Sequence, residues 1–381
     1  MEQFDVVVIG AGLAGLQCAR LLGHRGLRVL LVDRKDSLHH SIHTTGIFVR
    51  RTLEDFYFPE NCLGPAVRDV TLYSPARRPM NLSSPHDEFR VGRMGLLYQS
   101  YLEKCQGAGV RWLPGTKYGG HSLAKNQLIV QLDGDGPLQR VKTRYLVGAD
   151  GASSRVGKGL GLDTNQEWIV GVEEVLTSVP LAGPPRLHCF LDPRIAPGYL
   201  AWVVHDGEEV HIGVAGYPSR FDPLPALQTF RNSLDSIVDL RRARVLERRG
   251  GRIPVGGVLR RIANEQGLLI GDAAGAVSPL TAGGLDPCMR LSTLAAKVIA
   301  EYLEHGDAGA LAAYSGNLFR ARFVSRIWMR RMAATVRQPF LIELGCAAMR
   351  LPVLNSFAWH VFFGRGSFPD MEGTLDAELA F

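Results

Sequence analysis

Phe4-Asp5-Val6-Val7-Val8-Ile9-Gly10-Ala11-Gly12-Leu13-Ala14-Gly15 is the stretch whose reading decides the fold. An apolar run meets a glycine turn directly. An amphipathic stretch from Leu16 to Leu22 follows, and a second apolar run, Val29 to Val32, ends at Asp33. Strand, glycine turn, helix, strand and acid in that order form a dinucleotide-binding unit. Gly10 permits the tight turn, Gly12 lets a pyrophosphate approach the backbone, and Gly15 lets the helix pack close on the sheet. The helix start presents unpaired N–H groups and a positive dipole end to phosphates. Asp33 is spaced to accept hydrogen bonds from a ribose. A glycine turn without a ligand would need neither the flanking strands nor this acid.

The chain of 381 residues is long enough for two domains or one composite domain. Its net charge of +6 suits an anionic cofactor or an anionic membrane surface, and no nucleic-acid-binding signature accompanies it. The cysteines (Cys18, Cys62, Cys105, Cys189, Cys288 and Cys346) form no CxxC pair. Neither a disulfide framework nor a metal site is expected, and a reducing cytoplasm fits. Asp5 and the glycine turn interrupt any signal-peptide core, and no apolar run is long enough to span a bilayer.

Beyond the first unit, residues 38–47 read as a polar loop, Val67 to Tyr73 as a strand and Met94 to Gln106 as a helix with Arg93 at its start. Leu128 to Leu132, Val141 and Arg144 to Val147 read as a small meander ending in Gly148-Ala149-Asp150-Gly151. Ile169–Leu176, Arg186–Leu191, Tyr199–Val204 and Val210–Val214 are strands separated by turns, which predicts an antiparallel sheet. Pro225 to Leu240 reads as a helix, and Ala243 to Ile253 and Val258 to Ile262 as strands. A buried strand then runs into Gly271-Asp272-Ala273-Ala274-Gly275, Leu291 to Leu303 is helical, and the chain beyond Gly309 is mostly helical with breaks at Pro339 and Pro352.

Three motifs together, Gly10–Gly15, Asp150-Gly151 and Gly271-Asp272, resemble the FAD-dependent oxidoreductases of the para-hydroxybenzoate hydroxylase fold. Within them the chain looks most like the geranylgeranyl reductase group, on Gly271 to Leu285, Pro197-Gly198-Tyr199-Leu200-Ala201-Trp202 and Arg252 to Gly257. The resemblance reaches to about residue 305. It implies an α/β architecture: a Rossmann-type FAD-binding domain from 1–75, 90–160 and 262–308, an inserted antiparallel β-sheet substrate domain from 76–89 and 161–261, and a helical C-terminal region from 309–381.

By resemblance, Gly10, Gly12, Leu13, Ala14 and Gly15 cradle the pyrophosphate of FAD, Asp33 holds the adenosine ribose, and Arg34 lies beside it. Arg93 reaches the ribitol–pyrophosphate region, Gly271 and Asp272 meet the ribitol, and Asp150 shapes its turn or touches the cofactor. Gly283, Gly284 and Leu285 offer N–H groups to the pyrimidine end of the flavin, where they favour negative charge on the reduced ring. The loop His43-Thr44-Thr45-Gly46 lies against the isoalloxazine, in a place where relatives carry other residues; His43 is a proton donor there or a polar loop residue. No other residue stands out as the catalytic acid. Tyr199 and Trp202 line an apolar substrate pocket or belong to the sheet core.

The implied reaction is hydride transfer from reduced flavin N5 to a C=C bond of an apolar, isoprenoid-like substrate. The same fold also hosts monooxygenases and halogenases that use a C4a-peroxyflavin, and a non-redox cyclase or isomerase with bound FAD is a further alternative. Asp286-Pro287 stands where aromatic hydroxylases usually carry an asparagine, and the Trp-x-Trp-x-Ile-Pro stretch of halogenases is missing. With no second GxGxxG, the reductant is a transient NAD(P)H or a protein electron donor. Leu318 to Met332 reads as a basic amphipathic helix, with Phe319, Phe323 and Ile327 on one face and Arg322, Arg326 and Arg330 on another. That basic face either contacts an anionic membrane or is simply solvated.

Overall fold

A computed structural model describes residues 1–364, apart from 125, 126 and 182. The N-terminal unit forms as its pattern requires: β1 (Gln3–Ile9), α1 (Leu13–His24) and β2 (Val29–Val32), with the two strands parallel. After β3 (Ile47–Val49) and α2 (Arg50–Asp55), the chain leaves this layer through β4 (Asp69–Tyr73) and β5 (Pro79–Ser83). It returns through β6 (Phe89–Val91), α3 (Met94–Gly107) and β7 (Arg111–Leu113), then builds β8 (Lys117–Ala124), β9 (Gln127–Asp133) and β10 (Arg140–Gly148). The short α4 (Arg155–Gly159) leads to a second layer: β11 (Trp168–Thr177), β12 (Arg186–Phe190), β13 (Ala201–His205), β14 (Val210–Gly216), α5 (Pro223–Asn232) and β15 (Arg244–Pro254). β16 (Gly267–Leu269) and α6 (Leu285–His305) rejoin the first layer. The described chain closes with α7 (Gly316–Ala321), α8 (Val324–Thr335), α9 (Pro339–Ala348) and α10 (Pro352–Phe363).

The first sheet runs β7-β2-β1-β10-β9-β8, with β16 on the C-terminal half of β10. Hence Gly10, Asp150 and Asp272 each follow neighbouring parallel strands (β1, β10 and β16) at one sheet edge, where α/β folds bind ligands. The second sheet runs β15-β11-β14-β13-β12-β4-β5, antiparallel except where β4 meets β12. That pairing corrects the domain boundary expected at residue 75: Asp69 to Tyr73 belongs to the second sheet, because Val70, Thr71 and Leu72 are buried between β12 and β5.

Other expectations shift for identifiable reasons. α1 is buried on all sides from Leu13 to Gly23, packed against α3 and α6, so its amphipathic pattern does not mark a wet face. The helix expected from Pro225 to Leu240 runs only from Pro223 to Asn232, started by Asp222, which accepts from the Leu224 N–H. Val258 to Ile262 forms no strand, and β7 and β8 were not foreseen. The basic helix breaks between α7 and α8, and Pro339 and Pro352 stand at the first turns of α9 and α10, where a missing N–H costs nothing. Residues 365–381 of the expected C-terminal region lie outside the described residues.

Two buried charge clusters brace the structure, one within the first layer and one between the layers. Arg290, 0% exposed on α6, pairs with Asp55 at 2.5 Å and Asp286 at 3.0 Å, while Thr52 donates to Asp286 at 2.9 Å. The start of α6 is thereby fixed to α2. In the second sheet, the Glu173 carboxylate on β11 accepts from Thr45, from Trp202 Nε1 at 3.0 Å and from His211 Nδ1 at 3.1 Å, with Arg249 at 3.7 Å. Trp202 lies flat over Gly213, where any side chain would collide with the indole.

His211 sits between Glu173 and Asp206, whose Oδ2 is 3.8 Å from Nε2. Burial alone would lower its pKa, but the flanking carboxylates win and raise it to about 9. Burial likewise opposes ionisation of Glu173, yet the His211 charge and its hydrogen bonds hold its pKa below the usual range. Asp206, Glu209 and His211 place ligand atoms within 4.8 Å of one another, a set that Cys/His spacing could not reveal. In the metal-free protein the two carboxylates and the imidazole form an ion network. The stabilisation from His211 is complete below pH 6.5 and is lost as pH rises through about 9. His211→Gln should therefore cost on the order of 3 kcal/mol near neutrality by removing the positive charge that stands between two buried carboxylates. Thermal melts should also show a shallower fall in stability from pH 6.5 to 9 than in the wild type.

Candidate functional site

One continuous cavity of about 1610 Å³ runs from the β1–α1 turn, between the two sheets, to the C-terminal helices. Its first part tests the dinucleotide reading. A side chain at Gly10, where φ is +106°, would strike the Ala149 carbonyl, and one at Gly15 would strike the Gly10 carbonyl. At Gly12 the same position meets nothing within 4 Å. Two glycines let the backbone pack; the third leaves open space at the ligand face. α1 has no side-chain cap and no acid in its first turn, so its initial N–H groups are offered to the cavity. Asp33 accepts from the Ala11 N–H at 2.6 Å and the Lys35 N–H at 2.9 Å, which fixes the carboxylate while leaving lone pairs for a ligand. Arg34 and Lys35 stand beside it on the wall. A dinucleotide with two phosphates fits this donor set.

At the other end of the cradle, α6 also starts without a side-chain cap, and Gly283, Gly284 and Leu285 line the cavity. Asp272 follows Gly271, whose φ is +57°. Among the described residues no donor meets its carboxyl group, and desolvation raises its pKa to about 6. An acid held in that state is poised to hydrogen-bond a polyol. Asp150 differs: its carboxylate accepts from Ser154 Oγ at 2.5 Å and from the Arg155 and Val156 N–H groups at 2.7 and 3.1 Å. It accepts from the first two N–H groups of α4, whose N-cap is Ser154, and the turn it braces lines the cavity.

Arg93 is a correction. It precedes α3 and turns its guanidinium toward Glu208, at 2.9 Å, outside the cavity lining. The bridge at Leu63–Gly92 and the Arg93 N–H on Cys62 direct it away. Cations on the wall include instead Arg34, Lys35, Arg249, Arg252, Arg326 and Arg330.

The loop His43 to Gly46 does lie on the cavity wall. His43 Nδ1 is 3.0 Å from the Gly250 carbonyl, which only accepts, so Nδ1 carries the proton. Partial burial and the Lys35 charge lower its pKa. The bond to Gly250 fixes the ring to β15. Thr45 donates to Glu173, and Gly46 adopts φ +85° between Thr44 and Gly92. Cys288 is a buried helix-start residue whose thiol is pushed up by desolvation, unsuited to nucleophilic work.

Beyond the cradle the walls turn apolar: Leu72, Leu187, Cys189 and Leu200 from the second sheet, Met329 and Val336 from α8, and Ile342, Met349 and Phe362 from the last helices. Tyr199 and Trp202 both line this chamber, and each keeps its polar atom on the protein, Tyr199 on the Thr281 carbonyl at 2.5 Å and Trp202 on Glu173. The basic face of the former 318–332 helix is a second correction. Arg326 is half-buried and Arg330 buried, both pointing into the cavity, because α8 lies over it. Neither a membrane-facing nor a solvated basic face describes them. Sequence reading also missed Glu173 and Arg249; the acid pair Glu173-Glu174 inside the apolar run Ile169–Leu176 was the available signal.

Comparison with known proteins agrees with this geometry. Residues 102–330 match the family model described as an FAD binding domain, and residues 5–80 match FAD dependent oxidoreductase. A digeranylgeranylglycerophospholipid reductase of Methanothrix thermoacetophila is 26% identical over 322 residues, covering 80% of each chain. The solved structure of a geranylgeranyl bacteriochlorophyll reductase-like protein from Thermoplasma acidophilum superposes with a TM-score of 0.83 at 19% identity, over 99% of this chain and 100% of that one. The p-nitrophenol 4-monooxygenase of Pseudomonas putida shares the fold at a TM-score of 0.69 and 16% identity, over 100% and 98%. The chain belongs to the FAD-binding-domain family, resembles the geranylgeranyl reductases within it, and is an FAD-dependent oxidoreductase.

Proposed function

We propose that this oxidoreductase reduces C=C bonds in an apolar, isoprenoid-like chain. The observation that carries the reading is the single cavity that passes without a wall from the cofactor cradle into an apolar chamber. Its volume exceeds the roughly 300–1,000 Å³ of an ordinary ligand pocket, room for a cofactor and a long substrate end to end. The curated relatives that the chain resembles are named for reducing such chains.

FAD, once reduced, supplies the hydride. The residues do the rest. The open N-terminus of α1 and Gly12 hold the pyrophosphate, Asp33 the adenosine ribose with Arg34 beside it, and Asp272 a ribitol hydroxyl. Gly283, Gly284 and Leu285 direct the start of α6 at the pyrimidine end, where N–H groups and the helix dipole favour negative charge. Thr45 and Gly46 keep the facing loop close to the ring, held by Glu173. Tyr199 and Trp202 exclude water from the chamber, since their polar atoms are already engaged.

Access is from the C-terminal helices. No single described helix is long and apolar enough to cross a membrane; α9 and α10 together approach that composition but are bent by 104°. They leave Phe340, Leu344, Leu351, Val353 and Phe357 exposed, while other residues of the same helices line the cavity. We read this as a peripheral lipid contact beside the substrate entrance.

Anaerobic incubation of the flavin-loaded protein with dithionite and prenyl substrates should yield saturated products by mass spectrometry. An oxygenated product formed only with O₂ would instead place the chain among the hydroxylases. Phe340→Glu/Leu344→Glu should weaken co-sedimentation with vesicles by about tenfold or more, because each apolar side chain withdrawn from lipid forfeits about 1.5–3 kcal/mol.

A further inference from the structure

Arg326 and Arg330 stand four residues apart on one face of α8, which sets their Cβ atoms about 5–6 Å apart. Arg330 is 2% exposed. Its guanidinium carbon lies 5.0 Å from the ring centre of Tyr199 and 5.3 Å from that of Tyr217, and Nε is 3.4 Å from the Tyr217 hydroxyl. One terminal nitrogen, Nη2, is buried without a partner. Arg326 reaches the Ser278 hydroxyl at 3.5 Å, and burial lowers its pKa, with Asp286 acting in the opposite sense from a distance. Among the described residues, no carboxylate forms an ion pair with either one.

Other cations at buried positions contrast with this pair. Arg290 has Asp55 and Asp286, Arg249 has Glu173 and Glu247, and Arg231 has Glu174. A desolvated guanidinium with no counter-ion is expensive, and it does not escape by losing its proton. The groups around the pair, Ser278 and the rings of Tyr199 and Tyr217, bring hydroxyls and π faces but no negative charge. The chamber beyond them is apolar.

We propose that Arg326 and Arg330 form a binding site for the anionic end, a phosphate or a carboxylate, of the substrate whose apolar chain fills the chamber. The inference rests on the reading that an apolar chain is the substrate, and it adds that the chain is acidic at one end. Ser278 then contributes a neutral donor, and the pair fixes which part of the chain meets the cofactor, because the anion is anchored beside the Ser278–Gly284 loop.

The test is an equilibrium titration of the oxidised, flavin-loaded protein without reductant, read by the flavin visible spectrum. The probes are farnesyl phosphate, farnesoic acid, farnesol and inorganic phosphate. An anionic probe should bind at least about tenfold more tightly than farnesol, a difference of about 1.4 kcal/mol. In Arg326→Met/Arg330→Met that preference should fall to within about twofold. The Arg326→Lys/Arg330→Lys variant, which keeps the charge, should retain part of it and so separates charge loss from misfolding. Tighter binding of the phosphate, with competition by inorganic phosphate, supports the site as a phosphate subsite; tighter binding of the acid supports it as a carboxylate subsite. Farnesol binding as tightly as both anions, or a preference unchanged in the methionine variant, overturns the inference and leaves the apolar-chain reading standing. If no prenyl probe binds, both fall.

Discussion

A single buried carboxylate holds the two halves of the site in register. Glu173 gathers the cofactor-side loop through Thr45, the substrate sheet through Trp202 and His211, and the edge strand through Arg249. These partners come from four separate stretches of chain. In a low-dielectric interior, an acid shared in this way is stable only when its donors all arrive together, so the arrangement is strongly specified. His211 completes it by carrying the positive charge that burial would otherwise forbid. The distance between the His43–Gly46 loop and the chamber wall is therefore set by a salt-bridged network, not by apolar contact alone.

Two helix starts without caps converge on the same cavity. α1 and α6 both begin at glycines, both lack a side chain to satisfy their first N–H groups, and both line the cradle. Each would be a defect in isolation. Together they turn two positive dipole ends toward one cavity. Arg290 supports the second by fixing the start of α6 to α2 from behind.

Local chemistry made much of this legible from the sequence. The roles of Gly10 and Gly15 were readable because each answers a backbone demand, and the structure shows both demands, while Gly12 faces open space. The strand-rich insert was legible from alternation. What escaped was set by partners distant in sequence. Arg93 is drawn outward by Glu208, on a turn more than a hundred residues away. Asp150 follows a glycine-rich strand end as a ligand residue would, yet its carboxylate accepts from the first two N–H groups of the next helix. The pattern of Arg322, Arg326 and Arg330 gives a helical face but not the direction in which it points. Only the placement of α8 over the cavity turns it inward. Glu173 went unremarked because acids within an apolar strand, here Glu173 and Glu174, form no motif.

The order of strands in the first sheet has a kinetic meaning. β1 and β2 leave the ribosome at once, but β10 inserts beside β1 only after the chain has passed residue 148, and β16 joins β10 later still. Gly284 and the start of α6 are made after both sheets have been translated. Loop closures of this length are slow and come late. The cleft, whose walls come from the first turn, both sheets and the last helices, is therefore complete only when nearly the whole described chain has been made.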